Sequence, residues 1–126
     1  MSTSQNVETA EKGYASYSAS DLETTLSVFD DSIQFVVPGN STISRTYSGK
    51  AQVMGLFAKL AEQSFTIAPS RFLADDDVDV VVVLSQVTAG GESAPQADVY
   101  TFRHGKIVMA QSFPDTAMQE RVYGTK

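Results

Sequence analysis

The chain has 126 residues, no cysteine, a single histidine and a net charge of −6, with its nine Lys and Arg scattered rather than clustered. Those counts exclude disulfides, thiol nucleophiles and thiolate metal sites, and they speak against a histidine-built metal centre or a Ser-His triad. They also speak against a nucleic-acid partner, which would need a basic stripe.

One domain over residues 1–126 is expected, long enough to bury roughly two thirds of its unfolded surface. The opening "MSTSQNVETAEK" carries no apolar run of the signal-peptide kind, and no segment reaches the roughly 18 to 20 apolar residues of a membrane span. A cytoplasmic protein with no membrane partner, no metal and no cofactor is the expectation.

Val7, Ala10, Tyr14 and Tyr17 recur at helical spacing and predict an amphipathic helix over about residues 5–17. "SDLE" then reads as a capping box, with Ser20 at the N-cap and Glu23 three residues on. Leu22, Leu26 and Phe29 form the buried stripe of a second helix that ends at Asp30 and Asp31. "SIQFVVPG" predicts a short strand stopped by Pro38 and Gly39. A polar loop, long enough to serve as a lid, runs on to Gly49, and Val53, Leu56, Phe57 and Leu60 mark a third helix. After Gln63 the pattern turns to strands, "SFTIAPSRFLA", "VDVVVVLSQVT", "QADVYTFR" and "KIVMAQSF", which predict an antiparallel meander. The "DDD" at Asp75 to Asp77 reads as a charged turn and His104-Gly105 as a solvated hairpin turn. Asp115 reads as the N-cap of a last helix.

The segment Val78 to Thr88 is apolar on both faces, Val80, Val82 and Leu84 on one, Val81, Val83 and Val87 on the other, so both must be covered. Three helices cover one face of a curved sheet and enclose a cavity. The other face, with Val99, Ile107 and Met109, calls for a partner. Within "QADVYTFR", alternation puts Asp98 on the same face as Tyr100 and Phe102. A carboxylate in an apolar layer costs several kcal/mol unless it is hydrogen-bonded, paired or protonated.

"ASDLETTLSVFDDSIQFVVPG", "YSGKAQVMGLFAKL", "RFLADDDVDVVVV" and "YTFRHGKIVMAQSFPDT", in this order and spacing, resemble the SnoaL-like, ketosteroid isomerase-related families of the nuclear transport factor 2-like superfamily, from about Val7 to Tyr123. The resemblance implies an α+β fold: a cone-shaped curved sheet, antiparallel or mixed, wrapped by about three N-terminal helices. It also implies a deep pocket and a homodimer through the convex sheet face. In the isomerases a general-base Asp precedes the Pro after the first strand, and that position here is Val37. Their second, protonated Asp, a donor to the developing oxyanion, falls on Asp98. Their helix-borne oxyanion Tyr resembles Tyr14, one residue out of register. The water-activating Asp of limonene epoxide hydrolase-like members corresponds most nearly to Ser112, which cannot take that proton, so epoxide hydrolysis is disfavoured.

Asp98 and Tyr14 are therefore the candidate catalytic residues, with two structural alternatives open. Asp98 pairs with Arg45 or Arg71 or sits at a wet cavity mouth, and Tyr14 and Tyr17 are core aromatics. Alternation and the family pattern put Val82, Leu84, Gln86, Asp98, Tyr100, Ala110 and Ser112 on the sheet side of the pocket, with Tyr17, Phe35, Val37 and Phe57 completing it. A mainly apolar lining with few polar anchors fits a small apolar molecule bearing one or two oxygens. Two functions follow: an isomerase- or polyketide cyclase-like catalyst on a carbonyl compound, or a non-catalytic binding protein.

Overall fold

The computed structural model of the chain describes residues 3–75 and 77–126; residues 1, 2 and 76 lie outside, so Asp76 of the expected acidic turn is not among the described residues. In chain order the elements are α1 (Thr3–Ser18), α2 (Leu22–Ser27), β1 (Phe29–Val37), β2 (Arg45–Ser48), α3 (Gly49–Ala61), β3 (Thr66–Asp75), β4 (Val80–Ala89), β5 (Glu92–Arg103), β6 (Lys106–Phe113) and α4 (Thr116–Tyr123). The six strands form one mixed sheet in the order β2-β1-β6-β5-β4-β3, in which β3 to β6 are the expected antiparallel meander and β1 joins β6 in parallel. The fold is the expected α+β cone. No described helix is long and apolar enough to cross a membrane.

The helical corner departs from the capping-box reading. Asp21, not Ser20, caps α2: its Oδ1 accepts from Thr24 N–H at 3.2 Å and its Oδ2 from the Thr24 hydroxyl at 2.6 Å. Ser20 has φ 59°, a left-handed turn conformation incompatible with the extended backbone of an N-cap. The helix also stops before Asp30, because Phe29 already pairs with Ile107 and Val28 O accepts Ile107 N–H at 2.9 Å. Sheet pairing draws the chain out of the helix at Val28.

The expected lid is fastened instead. Its second half is β2, paired with β1 from Val37↔Arg45 to Gln34↔Ser48. Its first half is tied to the C-terminal segment. Gln119 Nε2 donates to Pro38 O at 3.2 Å and to Ser41 Oγ at 3.1 Å, and Lys126 N–H donates to Asn40 O at 2.9 Å. Ser41 and Ser44 are buried. Gly39 has φ 104°, and a Cβ there would stand 3.2 Å from Thr116 Cγ2, so the turn against α4 needs glycine.

Pairing also fixes which faces are inside. Val81 lies opposite Tyr100 and Val83 opposite Asp98, and directly paired residues share a face, so the inward set of β4 is Val81, Val83, Ser85 and Val87. Val82, Leu84 and Gln86, expected inside, point outward. Ile107, expected outward, is buried inside, because a register shift between Thr101 and Phe102 pairs it with Phe102. Ile33, Val53, Val81 and Val83 are fully buried between the sheet and the helices, each worth about 1.5–3 kcal/mol of burial. On the outer face Leu73, Val82, Leu84, Val99, Met109 and Phe113 form the apolar layer, with Phe113 55 % exposed.

Candidate functional site

The helices and the inner sheet face line a cavity of about 120 Å³, measured as room for the centres of water-sized molecules. Its walls come from Tyr14 and Tyr17 of α1, Phe29, Phe35 and Val37 of β1, Leu56, Phe57 and Leu60 of α3, Val87 and Ala89 of β4, and Met118, Val122 and Tyr123 of α4. An outer recess, bordered by Ser18, Leu22 and Thr66, shares Tyr17, Phe57, Phe65 and Ile67 with it. Tyr17 packs edge-to-face on Phe57 at 5.1 Å and on Phe65 at 6.3 Å, so these rings form the partition between the two spaces.

Asp98 borders this largely apolar space, 3 % exposed. β5 aims it inward and the neighbouring strand and helix surround it. Ser112 Oγ, directly opposite on β6, donates to Oδ1 at 2.5 Å. Gln96 Nε2, two residues back on the same face, reaches Oδ2 at 3.1 Å and Oδ1 at 3.3 Å, and the Tyr14 hydroxyl donates to Oδ2 at 3.4 Å. Tyr14 and Tyr100 share a 2.7 Å hydrogen bond, in which Tyr100 donates once Tyr14 donates to Asp98. The chain of hydroxyls thus runs toward the carboxyl.

Neither arginine alternative occurs. Arg45 bonds Gln52 and lies over the Tyr47 ring at 5.0 Å, and Arg71 is exposed opposite Leu84. With only neutral partners, burial pushes the Asp98 carboxyl above the usual carboxylate range, against the opposing hydrogen bonds from Ser112, Gln96 and Tyr14. Burial, followed by the Asp98 charge, also pushes the Tyr14 hydroxyl upward, and burial is the largest cause of the rise at Tyr100. These hydroxyls stay neutral donors at any physiological pH.

The structure brings Tyr14, Tyr17, Phe35, Val37, Phe57, Asp98, Tyr100 and Ser112 to the cavity. It does not bring Val82, Leu84 or Gln86 there, and Ala110, although inward and buried, belongs to the packed core without bordering the space. Sequence reading missed Gln96, Val87, Met118 and Tyr123. The signal for Gln96 was its i, i+2 relation to Asp98. The α4 residues carried none beyond a capped helical segment. Asp115 caps α4 as expected, its Oδ1 accepting from Met118 N–H at 2.9 Å, while also bordering the cavity.

A profile of the SnoaL-like domain matches residues 10–110. The chain belongs to the SnoaL-like family. Among curated proteins no match is found. Solved structures share the fold of this SnoaL-like chain. Bal32a from a soil-derived mobile gene cassette is 22% identical over 96% of this chain and 98% of that one, with a TM-score of 0.88. An NTF2-like protein from Burkholderia xenovorans LB400 is 22% identical over 98% of each chain, with a TM-score of 0.81. TerC, co-crystallized with polyporic acid, is 22% identical over 96% of this chain and 99% of that one, with a TM-score of 0.83. At such identities the likeness establishes the architecture alone.

Proposed function

We propose that this SnoaL-like chain takes a small apolar carbonyl or enol compound into its cavity and acts on it as an isomerase- or cyclase-like catalyst. The observation that carries this reading is the Asp98–Ser112–Gln96–Tyr14–Tyr100 cluster bordering a largely apolar cavity. A carboxyl raised by burial and lacking a cationic partner reaches its protonated form more readily, and a protonated Asp98 beside Tyr14 offers two donors to a carbonyl oxygen. As the adjacent carbon loses a proton, charge develops on that oxygen, and preorganised donors in a dry site strengthen as it does; one such donor is worth about 10²–10³-fold in rate. The co-crystallized TerC supports the ligand class by analogy only.

Turnover also needs a base. Val37 cannot abstract a proton, and of the groups bordering the cavity the remaining carboxylate is Asp115, one oxygen of which is engaged by the α4 cap. Val37 favours the second reading, a binding protein without turnover. The two are separated by incubating the protein with 2-tetralone in deuterium oxide. Accelerated incorporation of deuterium next to the carbonyl, lost in Asp115→Asn, supports catalysis, whereas binding without exchange supports the second reading. The outer sheet face is proposed as the seat of a homodimer.

A further inference from the structure

The partition between the cavity and the outer recess bears on how long a ligand the chain accepts. Tyr17, Phe57, Phe65 and Ile67 border both spaces, and the recess has about 290 Å³ on the measure that gives the cavity about 120 Å³. Room for a larger molecule therefore lies just beyond the rings. The recess opens to water, since Ser18, Ser20 and Thr66 on its rim are exposed.

Tyr17 is placed to close the passage. It follows Tyr14 by three residues on α1, so the two rings leave one face of the helix a turn apart. Its backbone is fixed by the helix end, where its carbonyl accepts Ser20 N–H at 3.0 Å and Asp21 N–H closes on Ser16 O at 2.9 Å. Phe57, buried on α3, and Phe65, whose N–H donates to Leu60 O at 3.3 Å, hold the Tyr17 ring edge-to-face. On the sheet side Ile67 pairs with Val87, four residues along β4 from Val83, the partner of Asp98. Between backbone positions the level of Ile67 thus lies roughly 13 Å from that of Asp98 at the usual strand rise. A ligand whose oxygen meets Tyr14 and whose body extends along α1 runs into the Tyr17 ring.

Resting on the cavity reading above, we propose that Tyr17 sets the length limit of the ligand: its ring confines an oxygen-bearing apolar molecule to the inner cavity, so the chain takes compact carbonyl compounds and rejects those extended at the end remote from the carbonyl. Removing the ring joins the recess to the cavity and admits the longer molecule. The wall acts by exclusion, because overfilling a packed space forces neighbouring side chains off their rotamers.

The test titrates 2-tetralone and 6-phenyl-2-tetralone, which carries one more ring at the end remote from the carbonyl, calorimetrically into the wild type, Tyr17→Ala, Tyr17→Phe, Phe65→Ala and Tyr14→Phe. The wild type is expected to bind 2-tetralone about tenfold more tightly, the effect of overpacking. Tyr17→Ala and Phe65→Ala should reverse that order, because the added ring gains burial in the recess, whereas Tyr17→Phe should retain it. The ratio of the two affinities is the readout, since a loosened fold lowers both together. If circular dichroism shows Tyr17→Ala unfolded, Phe65→Ala decides. Equal affinities in the wild type, or a ratio unmoved in the alanine variants, overturn the proposal and leave the cavity reading standing. A ratio lost in Tyr17→Phe also overturns it, by assigning the discrimination to the hydroxyl. If Tyr14→Phe weakens neither probe while the alanine variants reverse the ratio, the Asp98 site is misread and the length limit stands. If neither probe binds the wild type at millimolar concentration, both readings fail.

Discussion

Replacing Tyr14 by Phe removes one oxygen from the centre of the buried cluster and leaves the packing in place. The edge-to-face contacts of Tyr14 with Phe72 at 5.8 Å and with Tyr100 at 6.0 Å need only the ring. What disappears is the 2.7 Å partner of the Tyr100 hydroxyl, which at 7 % exposure water does not readily replace, together with the 3.4 Å donor to Asp98 Oδ2. An orphaned buried hydroxyl costs about 1–3 kcal/mol. With about 2.1 cal/mol/K of unfolding entropy per residue over 126 residues, each kcal/mol corresponds to about 4 °C, so Tm should fall by about 4–12 °C. Tyr100→Phe should cost less, because the Tyr14 hydroxyl keeps its bond to Asp98 Oδ2. The double variant orphans neither and should lose less than the sum, with a coupling of about 1–2 kcal/mol. Urea unfolding at neutral pH, with calorimetry, measures all four corners of the cycle. Strict additivity would show that the two hydroxyls do not depend on each other and that the cluster is a chance proximity.

Three further outcomes follow from the same geometry. Because the folded-state pKa of Asp98 lies above its unfolded value, its contribution to stability is fullest below the unfolded pKa and declines as pH climbs through the unfolded and then the folded pKa. The stability of Asp98→Asn relative to the wild type should therefore rise with pH across that window, and a pH-independent difference in denaturation midpoints would remove the raised carboxyl from the account. On β4, Val82→Glu should dissociate a homodimer and leave the fold intact, whereas Val83→Glu, a fully buried position opposite Asp98, should unfold the protein. Sedimentation and circular dichroism distinguish the two, and a wild type that sediments as a monomer at micromolar concentration would defeat the dimer. Finally, the wild type should not isomerise a 3-oxo-Δ5-steroid, since Val37 supplies no base; efficient turnover in an absorbance assay would contradict that assignment, and Val37→Asp should give at most trace activity, as about 1 Å of misplacement costs roughly a hundredfold.

The order of elements and the inward aim of Asp98 were legible because each rests on a strong local signal: helical spacing around Val7 to Tyr17 and Val53 to Leu60, and a carboxylate in phase with Tyr100 and Phe102. The orientation of β4 was not, since a strand apolar on both faces gives alternation nothing to discriminate. Only its pairing with β5 decides that Val83 faces Asp98. Ile107 was misplaced for a related reason: a bulge shifts parity, and nothing in "FRHGKIV" marks one. The capping-box signature misled at the helical corner, where Ser20 with Glu23 read as the cap and the backbone gives that place to Asp21 with Thr24. Strand β2 has four residues, too few for a period.

The central claim, that the cavity holds a carbonyl oxygen against Asp98 and Tyr14, is tested most directly by the infrared carbonyl stretch of 2-tetralone labelled with carbon-13 at its carbonyl and bound to the protein. The account predicts a shift to lower frequency than in water for the wild type, reduced in Tyr14→Phe. A stretch at the frequency found in an apolar solvent, unchanged by Tyr14→Phe, would contradict it.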